Sequence, residues 1–151
     1  MKKIDLATAP TRTGTRYPKP HDQPCIGRHR WLLADTAKLS QFGVNLLRLP
    51  SGQWSSQRHW HEREDEFIYI LEGEVMLVTD AGEETLRAGD CAGFKAGDKD
   101  GHHLQNRSGR DAMILEVGTR DPKGDRAEYP DIDMILPGGG LGFAHRDGTP
   151  Y

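Results

Sequence analysis

The sequence predicts an all-β barrel or sandwich, and three observations carry that expectation. From Phe42 to Val117, short apolar runs of strand length alternate with turn-forming Gly, Asp, Ser and Asn. Only "LADTAKLSQF" offers a short helical turn. The segments on either side are too rich in Pro and Gly for long helices.

Taken in order, residues 1–41 carry Pro10, Pro18, Pro20 and Pro24 and read as an extended N-terminal arm, with Trp31, Leu32 and Leu33 as anchors. The β core is expected over residues 42–118. It begins with "FGVNLLRLP", followed by "WSSQRHWH" and "EFIYILEG" as strands. In "EVMLVTDAGEETLRAGD" a tight hairpin turn is expected around Asp80-Ala81-Gly82. "CAGFKAG", "GHHLQN" and "AMILEVG" complete the core. Residues 119–151, including "PGGGLG", read as a C-terminal arm, since too few apolar residues remain there for a second core.

The strand "EFIYIL" is apolar on both faces: Ile68 and Ile70 on one, Phe67, Tyr69 and Leu71 on the other. A free-standing barrel would leave its outer face polar, so a cover is expected, from the arms and from a second subunit in a homodimer.

With 151 residues, one domain is expected. The formal charge of −3 gives no electrostatic footprint for nucleic acid or an anionic membrane. The basic patch "GRHR" at 27–30 reads as solvated surface. Cys25 and Cys91 form no CxxC pattern and are expected as free thiols in a reducing compartment. The first twenty residues lack the apolar segment of a signal peptide and no apolar run approaches the length of a membrane span, which points to the cytoplasm. The Pro-rich first forty residues leave no room for a DNA-binding helical module.

The chemistry concentrates in "RHWHEREDEF". Alternation along a strand points His59 and His61 to the same face, and Glu66 opens the next strand. Glu62, Glu64 and Asp65 read as a solvated loop. About thirty residues on, "GDCAGFKAGDKDGHHLQN" supplies His102, at the start of a strand that runs to Asn106. Three imidazoles and a carboxylate form a borderline-hard donor set, suited to one divalent ion of Fe, Mn, Ni, Co, Cu or Zn, with positions left open for a substrate. Ser55 and Gln57 share the parity of His59; either they line the cavity or they make ordinary interior hydrogen bonds.

These residues resemble the two cupin motifs. Gly52, His59, His61, Glu66 and Gly73 match the first in full; Gly89, Gly97, His102 and Asn106 match the second. In the second, Lys95 stands where proline is usual, and "DKDG" makes the gap between Gly97 and His102 two residues longer. His102 rather than His103 keeps the spacing to Asn106, which leaves His103 as an outer-face residue packed under an arm. The arms and phrases such as "DCAGFKAG" also resemble small bacterial cupin-2 proteins, some of them labelled sugar-phosphate isomerases on similarity alone. The resemblance implies a double-stranded β-helix, that is a jelly-roll barrel, with His59, His61, Glu66 and His102 as metal ligands inside its mouth.

Two function classes follow. One is a metalloenzyme acting on a small polar substrate as isomerase, dioxygenase or other oxygenase, or lyase; the other is a non-catalytic sensor that binds a small ligand. A sugar-phosphate isomerase should line its cavity with several cations, and near the mouth the sequence offers only Arg48 and Lys95. A barrel that has lost its metal would leave buried imidazoles without partners, which the intact donor set argues against.

Overall fold

The computed structural model describes residues 3–151, so the first two residues of the N-terminal segment lie outside it. Strands dominate. In the N-terminal segment, β1 (Thr11–Thr13) is followed by a 3-10 turn (Gln23–Cys25), β2 (His29–Leu32) and α1 (Leu33–Thr36). Then come β3 (Phe42–Leu49), β4 (Trp60–His61), β5 (Glu66–Glu72), β6 (Glu74–Thr79), β7 (Gly82–Arg87) and β8 (Cys91–Phe94). The chain continues with β9 (His103–Gln105), β10 (Ala112–Thr119), β11 (Ala127–Tyr129) and β12 (Met134–Leu136).

A six-stranded antiparallel sheet in the order β1-β2-β3-β10-β5-β8 faces a three-stranded sheet β7-β6-β9, and a third sheet, β12-β11-β4, lies alongside. This is the double-stranded β-helix expected. The N-terminal segment contributes two strands to the large sheet, through β1 on β2 and β2 on β3.

Burial follows strand alternation. Leu47 and Leu49 of β3, Ile68 and Ile70 of β5, Val75 and Leu77 of β6, and Ala112 and Ile114 of β10 fill the core between the two main sheets. Glu66 shares the parity of Ile68 and Ile70, so the strand that builds the core also aims a carboxylate inward. A second cluster joins Ala127, Tyr129 and Met134 to Tyr17 and Phe143, tying the two ends of the chain together.

The tight turn lies where expected: Thr79 pairs with Gly82 and leaves Asp80 and Ala81 as the loop. Gly73, between β5 and β6, sits at φ 79°. A Cβ there would meet Asp111 O at 2.9 Å and Ala112 Cα at 3.0 Å, so both the conformation and the space require glycine. "WSSQRHWH" departs from expectation: only Trp60 and His61 are a strand, and the rest is bends plus two isolated bridges, Trp54 to Gln105 and His59 to His102.

Cys25 is buried and Cys91 exposed, and both are free. Among the described residues, no helix is long and apolar enough to cross a membrane.

Candidate metal centre

Two strands and two bridged loop segments meet at the barrel mouth. The His59–His102 bridge fastens the first histidine to the residue before β9, β4 carries His61, and β5 starts at Glu66. His59, His61 and Glu66 each place one ligand atom so that all lie within 4.8 Å of one another. Glu66 Oε2 lies 3.6 Å from His59 Nε2, 3.7 Å from His61 Nε2 and 2.9 Å from His102 Nε2. The four residues singled out from the sequence therefore converge on one carboxylate oxygen.

The outer ring nitrogens decide which lone pairs face inward. His59 Nδ1 lies 3.0 Å from Gln57 O, an acceptor, so Nδ1 carries the proton and Nε2 presents its lone pair. His61 Nδ1 lies 2.6 Å from Asp125 Oδ2, which orients its ring in the same way. His102 is held differently. Its ring stacks on Phe94 at a centroid distance of 3.5 Å, and its Nδ1 is buried without a hydrogen-bond partner.

Protonation follows from burial and charge. Burial drives His59 down to about 3, against the pull of Glu66, so this imidazole is neutral at neutral pH. Burial alone would raise Glu66; its hydrogen bond to His102 and the charges of the three histidines outweigh that and hold it well below the usual carboxylate range. For His61, burial lowers the pKa, but the Asp125 hydrogen bond and the Glu66 charge leave it raised. A neutral imidazole, a carboxylate and two further ring nitrogens fit a borderline divalent cation, whose arrival would displace the proton held by the cluster.

His103 is not under an arm. It is 4% exposed, lies beneath Trp54 with ring centroids 4.7 Å apart, and is bonded through Nδ1 to Ser56 O and through Nε2 to Gln105. Ser55 lines the cavity and also accepts the Leu104 N–H, whereas Gln57 donates to His21 O. Asn106 is 1% exposed and satisfies Leu49 O and Arg110 O with its amide nitrogen.

The cluster lies between two cavities, of about 390 Å³ and 290 Å³, and His61, Glu64, Glu66, Phe94 and His102 line both. Three expectations are corrected here. "GRHR" is not solvated surface, because Arg28 and Arg30 are drawn into the larger cavity. Glu64 is not a solvated loop residue: it lines both cavities and accepts the Asp121 N–H at 2.6 Å. The mouth is also richer in cations than Arg48 and Lys95. Arg48 is an outward residue beside Asp111, Lys95 lines the smaller cavity, and five arginines (12, 16, 28, 30 and 120) line the larger one. Strand parity was the signal for Arg28 and Arg30, which share one face while His29 takes the other. Nothing in "KGDR" marked Asp125.

Comparison with known proteins gives a consistent picture. A family model described as a cupin domain matches residues 45–118. A sugar phosphate isomerase from a cupin superfamily, from Silicibacter pomeroyi, is 43% identical with a TM-score of 0.92, over 99% of this chain and 96% of that one. A protein from Acidithiobacillus ferrooxidans superposes with a TM-score of 0.72 at 24% identity, over 78% of this chain and 74% of that one. The polyketide cyclase RemF from Streptomyces resistomycificus superposes with a TM-score of 0.64 at 22% identity, over 80% of both chains. The last two show a shared fold alone. No curated protein matches the sequence.

Proposed function

The chain belongs to the cupin superfamily, and from that premise we propose that it is a metal-dependent enzyme acting on a small polar substrate, with sugar-phosphate isomerisation as the leading reaction. The convergence of His59, His61 and His102 on the Glu66 carboxylate carries this reading. In it, those four residues hold one divalent ion. The named activity of the Silicibacter pomeroyi relative supports the reaction class.

The ion would act as a Lewis acid on substrate oxygens. The rest of the work falls to the protein. Asp125 holds the proton on His61 Nδ1, and Gln57 O holds that on His59 Nδ1, so both Nε2 atoms stay available. Glu66 keeps a negative charge at the centre of the cluster. Tyr17, Tyr129, Phe94 and Phe143 wall the larger cavity and limit the water that reaches a bound substrate.

Elemental analysis of untagged wild type beside His59→Ala and His102→Ala tests the ion. Stoichiometric metal in the wild type, lost from both variants, is the expected result; a wild type that takes up none after reconstitution rules the metalloenzyme out. Incubating aldose and ketose phosphates with the loaded protein and following their interconversion by NMR tests the reaction; in D₂O, deuterium beside the carbonyl marks proton transfer through an enediol, and turnover without it a hydride shift. Ligand binding without turnover of any of them would favour a sensor.

The same reading includes a homodimer. Phe67, Tyr69 and Leu71 lie 41%, 38% and 44% exposed along the outer face of β5, an apolar stripe suited to a second copy. Sedimentation equilibrium should find a dimer for the wild type and a monomer for Tyr69→Lys; a monomeric wild type would refute it. The unpaired thiols, one of them exposed, support a reducing compartment.

A further inference from the structure

Of the five arginines lining the larger cavity, two are paired with carboxylates. Arg30 grips Glu116 with two hydrogen bonds, of 2.6 and 2.7 Å, and Arg120 meets Asp35 at 2.7 Å. Arg28 differs. Its side chain is buried, its Nε donates to Gly14 O at 3.0 Å, and its Nη1 donates to Ser55 O. Its guanidinium lies over the Tyr17 ring, 5.6 Å from the centroid. Among the described residues, no carboxylate pairs with it and no acceptor bonds its Nη2, although it lines the cavity. A buried cation whose hydrogen bonds go to carbonyls, and whose nearby carboxylate Glu116 is already gripped by Arg30, is costly to maintain, and one edge of its fork is left to donate.

We infer that Arg28 is the docking point for an anionic group, a phosphate or a carboxylate, on the molecule that fills this cavity. Two carbonyls hold the guanidinium in place, so nothing has to be ordered when the anion arrives. Arg12 and Arg16, likewise without carboxylate partners among the described residues, line the same cavity and add positive potential for an incoming anion. A continuous wall links this point to the metal cluster. The His59 ring stacks on Tyr129 at 5.7 Å, Tyr129 meets the edge of Tyr17 at 5.7 Å, and Tyr17 carries Arg28. The anion site stands on the surroundings of Arg28 itself. That its occupant also reaches His59, His61 and Glu66 rests on the function proposed above, and adds to it a substrate with oxygens at one end and an anion at the other.

The test is calorimetric titration of the full chain with inorganic phosphate and with malonate, as purified and after chelator treatment. Wild type, Arg28→Gln and, as a control, the outward Arg48→Gln are compared. Saturable binding of at least one anion is expected in wild type and control, weakened at least about tenfold in Arg28→Gln, the loss of one charge-assisted hydrogen bond. Preference for phosphate identifies a phosphorylated substrate, and preference for malonate a carboxylated one. Folded Arg28→Gln that binds like wild type, or a wild type that binds neither anion, overturns the inference. Binding abolished by the chelator also overturns it, because the anion then sits on the metal. A protein that takes no metal yet binds phosphate through Arg28 sinks the proposed function and leaves this site standing. Should Arg28→Gln fail to fold, tungstate soaked into wild-type crystals decides: density against Arg28 supports the site, and its absence there overturns it.

Discussion

Asn106 illustrates how a motif residue earns its place without touching a ligand. Its amide nitrogen binds two backbone carbonyls, and its Oδ1 accepts from the Ser108 N–H and hydroxyl. Asn106→Ala strips these partners in a site that water does not reach and should cost about 3 kcal/mol. That corresponds to a melting-temperature drop of roughly 6–12 °C for a chain this size, measurable by circular dichroism. Asp125 acts on the centre itself. In Asp125→Asn, Oδ1 still accepts the N–H groups of Arg63 and Glu64, but a side-chain N–H₂ can face His61 Nδ1. The imidazole proton then moves to Nε2, and metal affinity should fall about 10- to 100-fold in a chelator competition. The thiols should also part company. Burial pushes Cys25 up to about 11, so at neutral pH one thiol, Cys91, should react promptly with a thiol reagent and the second only in denaturant. Prompt modification of both would contradict the burial of Cys25. His59, His61 and Glu66 were legible because their spacing is local, and His102 because a second spaced pattern, from Gly89 to Asn106, points to it. Asp125 was not, because it reaches His61 from 64 residues away and only the folded chain brings them together.

Among the elements, β5, β6 and β7 were readable because they are strand-length runs bounded by turn residues, and a two-residue turn joins the last two. The segment before β4 was not. Ser55 accepts the Leu104 N–H on its hydroxyl and gives its carbonyl to Arg28 and Arg30, so side chains supplement the interrupted backbone bonds that tie this segment to residues 102–106. A strand-length polar run gives no hint of such partners. Gly73 sets the β5–β6 corner that places Glu66 and Ile70 on the inner face. Gly73→Ala adds a left-handed alanine, worth roughly 1–2 kcal/mol, and a backbone clash on top of it. Its unfolding midpoint in urea should fall accordingly, with an unchanged slope; an unaffected midpoint would show that the corner relaxes freely.

At the scale of the whole molecule, the ends of the chain close the cavity as much as the barrel does. Tyr17 from the N-terminal segment packs on Tyr129 and Phe143 from the C-terminal one, at 5.7 and 5.2 Å. Composition alone could not reveal this, since proline-rich segments look alike whether they dangle or dock. Tyr17→Ala should cost about 3 kcal/mol and speed limited proteolysis within residues 137–142. Equal cleavage rates in variant and wild type would show that the two ends do not brace each other. The two cavities that share His61, Glu66 and His102 have a consequence for traffic. The cluster is a partition rather than the floor of a cup: a bulky molecule seated on the Arg28 side leaves the smaller chamber open for solvent or a second small reagent to arrive from behind.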